Sequence, residues 1–430
     1  MNPKESVHTE GIAEHKIATL AGNTLRALSG SLDTLREQGL PADVFLRKHF
    51  RENRKFGSRD RHFLTKALFA YYRWYGWLEK VFPADTDLRM YLLGAFAAEG
   101  EMPLSFSLWC RELQLDEEKV TAAFAGATAE ERLSLLIGRD CGCSDRDLLS
   151  SWMLPMLSPG AAEGYLPWLR SRPPVWIRLQ KNREWVFRDF RENGIEWEEN
   201  NRLPGSCRLI SHGKVNLCLL PSYCGGSFEI QDYASQCIGY ATGASGNEHW
   251  WDACAGGGGK TLLLATRLRE SGGIVTATDI REHKLEETRI RAQRGSFENI
   301  RYAKWEHAVK RQYDGVLADV PCSSSGRWRR NPEMRLVCSA EWLAQLTQTQ
   351  YEILERVCGS VKPGGYLTYG TCSVFQCENQ EIVSRFLAEH PDFEPAPFAY
   401  NGNEVYEIQT YPADGDCDGT FCARLRRKDG

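Results

Sequence analysis

The sequence of 430 residues has no run of about 18 apolar residues, so no segment could cross a membrane as a helix. It also lacks an internal repeat and a low-complexity tract. The N-terminal stretch MNPKESVHTEGIAEHK has no apolar core of the kind that a signal peptide needs. We therefore expect a cytoplasmic protein, and 42% hydrophobic with 26% charged residues is typical of a folded chain.

Disulfide bonds are not expected either. The 15 cysteines are an odd number spread over a long chain, whereas disulfide frameworks belong to short secreted domains. No CxxC pair occurs, and the CGC segment at Cys141 and Cys143 lacks a second cysteine or histidine pair at zinc spacing. We expect free thiols and no metal site.

The chain lacks an overall positive charge, since its net charge is −4. Between positions 47 and 73, however, nine basic residues stand against only Glu52 and Asp60. Such a local basic face can bind phosphates even on an acidic protein, although a solvated helix face has the same pattern. The nine residues are Arg47, Lys48, Arg51, Arg54, Lys55, Arg59, Arg61, Lys66 and Arg73.

The hydrophobic pattern divides the chain into three parts. Residues 1–160 are predicted to be helical, with Phe63, Leu64, Ala67, Leu68 and Tyr71 on one helix face. Residues 161–228 are predicted to form a small α/β unit with short strands at PPVWIRLQ, IEWEE, CRLIS and VNLCLL. Residues 229–430 form the third part.

In the third part, strand and helix patterns alternate. WWDAC, IVTATD, DGVLAD and GYLTYGT read as strands, and a helical pattern follows each of them. Alternation of this kind predicts an α/β fold with a doubly wound, mostly parallel sheet.

The first of these strands leads into the glycine loop DACAGGGGKT. A P-loop would need glycine at position 254, which is cysteine, and a dinucleotide fingerprint is incomplete because Thr261 takes the place of its last glycine. A nucleoside with an amino-acid tail fits better, since Asp279 ends the next strand and can accept hydrogen bonds from ribose hydroxyls. S-adenosylmethionine has these features; a tight turn without a ligand is the alternative.

Two cysteines follow strands of the same predicted sheet. Cys322 comes three residues after Asp319, and Cys372 directly follows the strand at 365–371. Ligands bind beyond the carboxyl ends of parallel strands, and neighbouring strands lie about 4.8 Å apart. If these two strands are neighbours, both thiols face the crevice that holds the cofactor.

Three segments now resemble the signature segments of the Fmu/Sun family of RNA cytosine-C5 methyltransferases: DACAGGGGKT, ADVPCSSSGRWRRNPEMR and YGTCSVFQCENQEIV. QDYASQ and DGTFCARLRR resemble further family segments, and the likeness covers about residues 165–427. The helical N-terminus more weakly resembles the NusB-like RNA-binding domain of the bacterial ribosomal RNA members. The resemblance implies a Rossmann-like methyltransferase domain at 229–430, a small α/β RNA-binding subdomain at 161–228 and an all-α domain at 1–160.

The resemblance also implies a reaction: methyl transfer from S-adenosylmethionine to carbon 5 of a cytosine in RNA, expected to be ribosomal RNA. Cys372 would add to carbon 6 as a thiolate, which requires a pKa below the ~8.5 of a free cysteine. Cys322 would assist release of the product. Asp319 would donate a proton to cytosine N3 if desolvation keeps it neutral, and Lys260 would orient the acid or the base edge.

Three departures from the family pattern carry expectations of their own. Gly257 stands where the family usually has proline, which predicts a more mobile loop. Glu306 follows the third strand, where the family has aspartate. Four arginines after Cys322 predict a basic loop that faces RNA: Arg327, Arg329, Arg330 and Arg335. The expected cofactor contacts are Cys254, Ala255, Gly256, Gly257, Gly258, Gly259, Lys260, Asp279, Glu306 and Asp319.

Other functions stay open at this point. The chain could be a transfer RNA cytosine-C5 methyltransferase, a catalytically silent RNA-binding assembly factor or a DNA cytosine methyltransferase. A catalytically silent factor would not need both cysteines. The DNA enzymes have a PC motif with a single nucleophile, so this alternative would leave the TCS segment unexplained. We expect a monomer that binds RNA and neither DNA nor a membrane.

Overall fold

The computed structural model describes residues 13–213 and 215–429 and shows two compact units. One unit comprises described residues 13–155, 169–171 and 328–338, and the other comprises the rest. The first twelve residues, on which the expectation about a signal peptide largely rests, lie outside the described residues. Within the described part of the chain, no helix is both long enough and apolar enough for a membrane crossing.

The first unit is helical. In the helix Ser58–Val81 the five residues predicted to share one face are all buried, which confirms the helical pattern there: Phe63, Leu64, Ala67, Leu68 and Tyr71. Its helices are α1 (Glu14–Gln38), α2 (Ala42–Glu52), α3 (Ser58–Val81), α4 (Leu88–Glu99), α5 (Phe106–Glu112), α6 (Glu117–Ala123) and α7 (Ala129–Ile137).

Three arginines that we predicted to be part of a basic RNA-facing loop or surface are buried in this unit instead. Arg335 is 5% exposed and donates to two backbone carbonyls of α3 at 2.8 Å each. Arg329, 1% exposed, donates to the Ser171 hydroxyl at 2.9 Å, and Arg73 is ion-paired with Glu99 at 2.8 Å. The prediction was wrong for these residues because a guanidinium carries five donors that buried carbonyls can satisfy.

The second unit contains a small antiparallel sheet with the order β2-β3-β1-β4. The segment VNLCLL, predicted as a strand, forms a 3₁₀ turn at Leu217–Leu219 because the Asn216 side chain accepts from the Cys218 N–H at 3.1 Å. The elements of this part are α8 (Ala161–Gly164), β1 (Val175–Leu179), α9 (Arg183–Glu192), β2 (Glu196–Glu199), β3 (Ser206–Ser211), α10 (Pro221–Cys224) and β4 (Phe228–Ile230).

The rest of this unit is built on an eight-stranded sheet, in which five strands are parallel. Along the sheet the order is β10-β14-β9-β8-β5-β6-β7, and β13 pairs with β14. Its strands are β5 (His249–Asp252), β6 (Ile274–Ala277), β7 (Ile300–Tyr302), β8 (Tyr313–Asp319), β9 (Val361–Thr371), β10 (Phe393–Pro395), β13 (Glu407–Thr410) and β14 (Thr420–Arg427); β11 (Phe398–Tyr400) and β12 (Asn403–Val405) form a separate hairpin.

Helices cover both faces of this sheet, which confirms the doubly wound, mostly parallel fold. Trp251 and Val316 pack on one face with Leu354 and Phe386 from helices, while Trp250 packs on the other face in the second core. Adjacent residues of one strand thus enter different cores, as the alternation of a strand requires. The helices are α11 (Tyr233–Ala241), α12 (Gly259–Leu268), α13 (Glu282–Arg294), α14 (Trp305–Ala308), α15 (Ala340–Val357) and α16 (Gln380–Glu389).

Candidate active site

The parallel strands β5 to β9 end at one edge of the sheet, and the loops after them hold the residues predicted from the sequence. The strand order reverses at β5, with β6 and β7 on one side and β8 and β9 on the other. A crevice forms at such a reversal, beyond the carboxyl ends of the strands. The two strands that precede Cys322 and Cys372 are neighbours, with Asp319 opposite Gly370, as the argument about the thiols required.

The glycine loop after β5 has a backbone that only glycine adopts easily. Gly256 and Gly258 have φ values of +54° and +84°. A side chain at Gly258 would place its Cβ 2.5 Å from Thr288, so that position also needs glycine for space. The carbonyl of Gly257 accepts a hydrogen bond from the Arg291 guanidinium, which itself is ion-paired with buried Glu229. This contact restrains the loop at the position where we expected mobility.

Asp279 lies beside this loop. Its side chain is 4% exposed, accepts from the Gly256 N–H at 2.8 Å and is ion-paired with Arg281 at 3.0 Å. Burial alone would raise its pKa, but the hydrogen bonds from Arg281 and from the Gly256 N–H lower it, so Asp279 is a carboxylate at neutral pH. The ionised Asp279 side chain can accept hydrogen bonds from both hydroxyls of a ribose.

Two further observations fit the expected nucleoside cofactor. Ile280, directly after Asp279, is 94% exposed. A contact between this apolar side chain and the flat base of a nucleoside would be favourable, because it removes apolar surface from water. At the end of β5, buried Asp252 accepts from Thr261 at 2.7 Å, while its other oxygen has no partner within the described chain. Burial raises the pKa of Asp252 to about 7. An ammonium group such as that of an amino-acid tail would satisfy the free oxygen.

The remaining predicted cofactor contacts lie close by. The N–H of Ala255 donates to the Thr278 carbonyl at 2.9 Å, and Cys254 is half-buried, with a pKa raised by burial. Glu306 is exposed in the first turn of α14, after β7. Its neighbour Trp305 donates from its indole N–H to the Ala253 carbonyl at 3.1 Å. A cofactor role for Glu306 stays a prediction.

Lys260 and Asp319 form an ion pair at 2.6 Å, in which the side chains are 13% and 27% exposed. Burial acts against the charge of Lys260, but the charge and the hydrogen bond of Asp319 outweigh it and raise the lysine pKa. The sequence did not show that a lysine lies beside Asp319, and the neutral state expected of this side chain stays a prediction. The proton donor of this pair is Lys260.

The two predicted cysteines are in contact. Cys322 Sγ and Cys372 Sγ are 3.3 Å apart, and Ser324 Oγ lies 3.4 Å from Cys372 Sγ. The backbone N–H of Cys372 also approaches Cys322 Sγ at 3.3 Å. Both thiols are part-buried, so they are accessible to a reactant but shielded from bulk water.

The surroundings give the two thiols different acidities. The hydrogen bond from Cys322 lowers the pKa of Cys372 against the opposing effect of burial, and the charge of Arg327 and the Ser324 hydroxyl lower it further. The same hydrogen bond, together with burial, raises the pKa of Cys322 well above its usual value. The surroundings therefore favour the thiolate, which is the reactive form, at Cys372 over a thiolate at Cys322.

Sequence reasoning assigned no role to three side chains behind the thiols. Ser323 and Ser373 directly follow the two cysteines, and both hydroxyls donate to Glu378, which is fully buried. The segment YGTCSVFQCENQEIV contained two of the three, but nothing in the letters shows that Glu378 folds back toward the thiols. The sequence offered no signal, because Glu378 stands among the polar residues Gln376, Asn379 and Gln380.

Comparisons with known proteins agree with this geometry. A model of the family described as 16S rRNA methyltransferase RsmB/F matches residues 242–426. The ribosomal RNA small subunit methyltransferase B of Photorhabdus laumondii is 30% identical over 299 residues, which are 66% of this chain and 68% of that protein. The crystal structure titled PH0851 matches with a TM-score of 0.70 at 21% identity, over 93% of this chain and 97% of that one. The crystal structure of NSun6 from Pyrococcus horikoshii with SFG matches with a TM-score of 0.53 at 16% identity, over 60% of this chain and 92% of that one.

A Rossmann-like sheet with a glycine loop and an acid at its carboxyl edge defines an S-adenosylmethionine-dependent methyltransferase, here one of the RNA methyltransferases. Its cofactor is S-adenosylmethionine. The chain belongs to the RsmB/F family of 16S rRNA methyltransferases, which confirms the resemblance of its segments to the Fmu/Sun family.

Proposed function

We propose that this protein methylates carbon 5 of a cytosine in ribosomal RNA through a covalent bond between Cys372 and cytosine carbon 6. The observation that carries the proposal is the thiol pair: two cysteines 3.3 Å apart at the ends of neighbouring strands, whose pKa values are shifted in opposite directions. The relatives named for methylation of small-subunit ribosomal RNA support the choice of RNA.

The Cys372 thiolate starts the reaction. It donates an electron pair to carbon 6, and the charge that moves into the ring makes carbon 5 nucleophilic. S-adenosylmethionine would supply, when bound, a methyl group on a positively charged sulfur: a bond would form between carbon 5 and this methyl group, and the electron pair of the broken bond would stay on the sulfur. The attachment of Cys372 removes its negative charge, so Cys322 then loses its own proton to solvent. The Cys322 thiolate takes the proton from carbon 5, the double bond to carbon 6 re-forms and Cys372 leaves as a thiolate. One proton is released in each turnover.

The Lys260–Asp319 pair supports recognition of the base. A carboxylate accepts from the N4 amino group of cytosine, and an ammonium donates to N3. Uracil presents the opposite pattern, an acceptor at position 4 and a donor at N3, so it would oppose both groups. Lys260 also stabilises the negative charge that the ring gains when the thiolate adds.

RNA must reach the site with its target base unpaired or flipped out, because carbon 6 is inaccessible within a stack. In the helical unit, α2 and the turn after it carry a group of exposed basic side chains that can contact phosphates. We call this group the α2 basic surface; it consists of Arg47, Lys48, Arg51, Arg54 and Lys55.

The proposal is tested by incubating the purified protein with labelled S-adenosylmethionine and with ribosomal RNA, transfer RNA or DNA. The expected result is incorporation into ribosomal RNA, with 5-methylcytosine as the product after digestion to nucleosides. Cys372→Ala should abolish incorporation, and Cys358→Ala, which changes a half-buried thiol outside the site, is the matched control. Label on another atom, or full activity of Cys372→Ala, would refute the covalent mechanism.

A further inference from the structure

Behind the two thiols lies a carboxylate, Glu378, whose side chain is buried without an ion-pair partner among the described residues. It ends a 3₁₀ turn at Gln376–Glu378, directly before α16. A buried carboxylate is costly unless hydrogen bonds satisfy it. The burial of Glu378 therefore indicates a role for this side chain, whereas an exposed glutamate would indicate none.

Its partners come from both cysteine loops. Oε1 accepts from the Ser323 N–H at 2.8 Å and from the Gln350 side chain of α15 at 2.8 Å. Oε2 accepts from the Ser323 hydroxyl at 2.5 Å and from the Ser373 hydroxyl. A single side chain thus joins the residue after Cys322 to the residue after Cys372.

The backbone around this carboxylate is also fixed. The Tyr369 hydroxyl of β9 donates to the Glu378 carbonyl at 2.6 Å. Asn379 accepts from the Thr371 hydroxyl at 2.6 Å and donates to the Ser373 carbonyl at 3.0 Å. Glu378 cannot relax away from the loops without breaking these bonds, so its position is set by β9 itself.

The negative charge of Glu378 has a second effect. It acts on Cys322, whose pKa is raised first by the hydrogen bond to Cys372 and by burial, and further by the charges of Cys372 and Glu378. The principal causes that act on Cys372 are instead its hydrogen bond with Cys322, burial and the charge of Arg327. The carboxylate thus disfavours a thiolate at Cys322 more than at Cys372.

We propose that Glu378 is a positioning residue that joins the two cysteine loops through Ser323 and Ser373 and makes Cys372 the more reactive of the two thiols. The catalytic part of this proposal rests on the proposed function, because the role of Glu378 would explain why Cys372 rather than Cys322 attacks carbon 6 of cytosine. The state of the thiols themselves can be measured without RNA.

The test is competitive alkylation of the folded protein with iodoacetamide near neutral pH, followed by mass spectrometry of the two cysteine peptides. In the unmodified chain Cys372 should react faster than Cys322. Glu378→Gln keeps the shape and removes the charge, and should reduce this preference by about tenfold, which corresponds to one pKa unit. Glu381→Gln removes an exposed charge from α16 and should leave the preference unchanged.

Activity provides a second readout. Because Glu378 is buried, Glu378→Gln should lower kcat and leave the KM values for RNA and cofactor unchanged. If Glu378→Gln does not fold by circular dichroism, Ser373→Ala removes one bond of the junction, keeps the charge and should reduce the preference by a smaller factor. An unchanged alkylation preference in a folded Glu378→Gln variant overturns the proposal.

The two failures are distinguishable. A shifted preference without 5-methylcytosine in any RNA supports the role of Glu378 at the thiols and refutes the proposed reaction. Formation of 5-methylcytosine with an unshifted preference refutes the role of Glu378 alone.

Discussion

Cys322→Ala is the substitution that tests the thiol pair most directly, because it removes two functions at once. It takes away the proposed base for the carbon 5 proton, so the methylated cytosine should stay attached to Cys372. It also takes away the donor 3.3 Å from Cys372 Sγ. The variant should therefore accumulate a covalent protein–RNA complex that survives denaturing electrophoresis, and it should form that complex slowly.

The size of the delay follows from the lost hydrogen bond. Bonds to charged groups contribute about 1.5–3 kcal/mol, and a weak S–H donor belongs at the lower end. Since about 1.4 kcal/mol corresponds to one pKa unit, the pKa of Cys372 should rise by about one unit. The thiolate exists above its pKa and is lost as the pH falls through it. If the pKa rises from about 7 by about one unit, the thiolate fraction at pH 7 falls from about a half to about a tenth. The variant should thus attach to RNA about fivefold more slowly at pH 7, and the difference should vanish at alkaline pH.

The assay is a time course of adduct formation on denaturing gels at several pH values. Cys372→Ala should form no adduct, and the double variant should look like Cys372→Ala because the residues act as one unit. Cys358→Ala controls for the loss of an unrelated thiol. An adduct in Cys372→Ala would reverse the roles of the two cysteines, and a pH-independent rate in Cys322→Ala would refute the argument from the pKa of Cys372.

Three other predictions concern the cofactor, the base and the RNA. Asp279→Ala should weaken S-adenosylmethionine by about 1–3 kcal/mol in calorimetry; Glu282→Ala is the exposed control, and equal affinities would remove Asp279 from the site. Lys260→Met should slow adduct formation by about 10²–10³-fold because charge on the ring is no longer stabilised, with Cys372 still open to alkylation; an unimpaired rate would contradict this role. Serine at all five positions of the α2 basic surface should reduce the slope of log affinity against log salt by up to about 3.5. Lys119→Ser, which removes one exposed charge elsewhere on the protein, is the control. An unchanged slope would mean that the α2 basic surface is only a solvated helix face.

The sequence was sufficient wherever local pattern decides structure. The residues EHKLEETRIRAQR form α13 over the whole predicted range, Glu282–Arg294. The strands before Cys322 and Cys372 were found, and the rule about carboxyl ends of parallel strands placed both thiols at one edge. Glycine loop, acid and cysteines could be found because each follows directly on a strand.

Apart from the segment VNLCLL, where a local hydrogen bond of Asn216 was missed, the failures involve partners far away in the chain. Arg335 looked like an RNA contact because its partners, carbonyls of α3 more than 260 residues earlier, cannot be read from its neighbours. Asp319 was interpreted without its ion-pair partner, because its apolar strand was visible in the sequence and Lys260 beside it was not. Glu378 was overlooked because its proposed role depends on hydrogen bonds from two separate loops, which the sequence does not show. Burial and pairing are properties of the tertiary fold, and periodicity does not report them.

The assignment of residues 328–338 to the helical unit has a consequence for how this protein can be shortened. A gene fragment that encodes only the part from residue 172 onward would still contain this segment. It would lack the α3 carbonyls that receive Arg335 and the backbone N–H of Ala42, which donates to Glu333 at 3.0 Å. Stranding a buried charge in this way costs about 3–5 kcal/mol, a large part of a typical folding free energy. Because the segment begins six residues after Cys322, natural selection could not discard the helical unit without also rewriting the loop that carries this thiol, for which we propose a catalytic role.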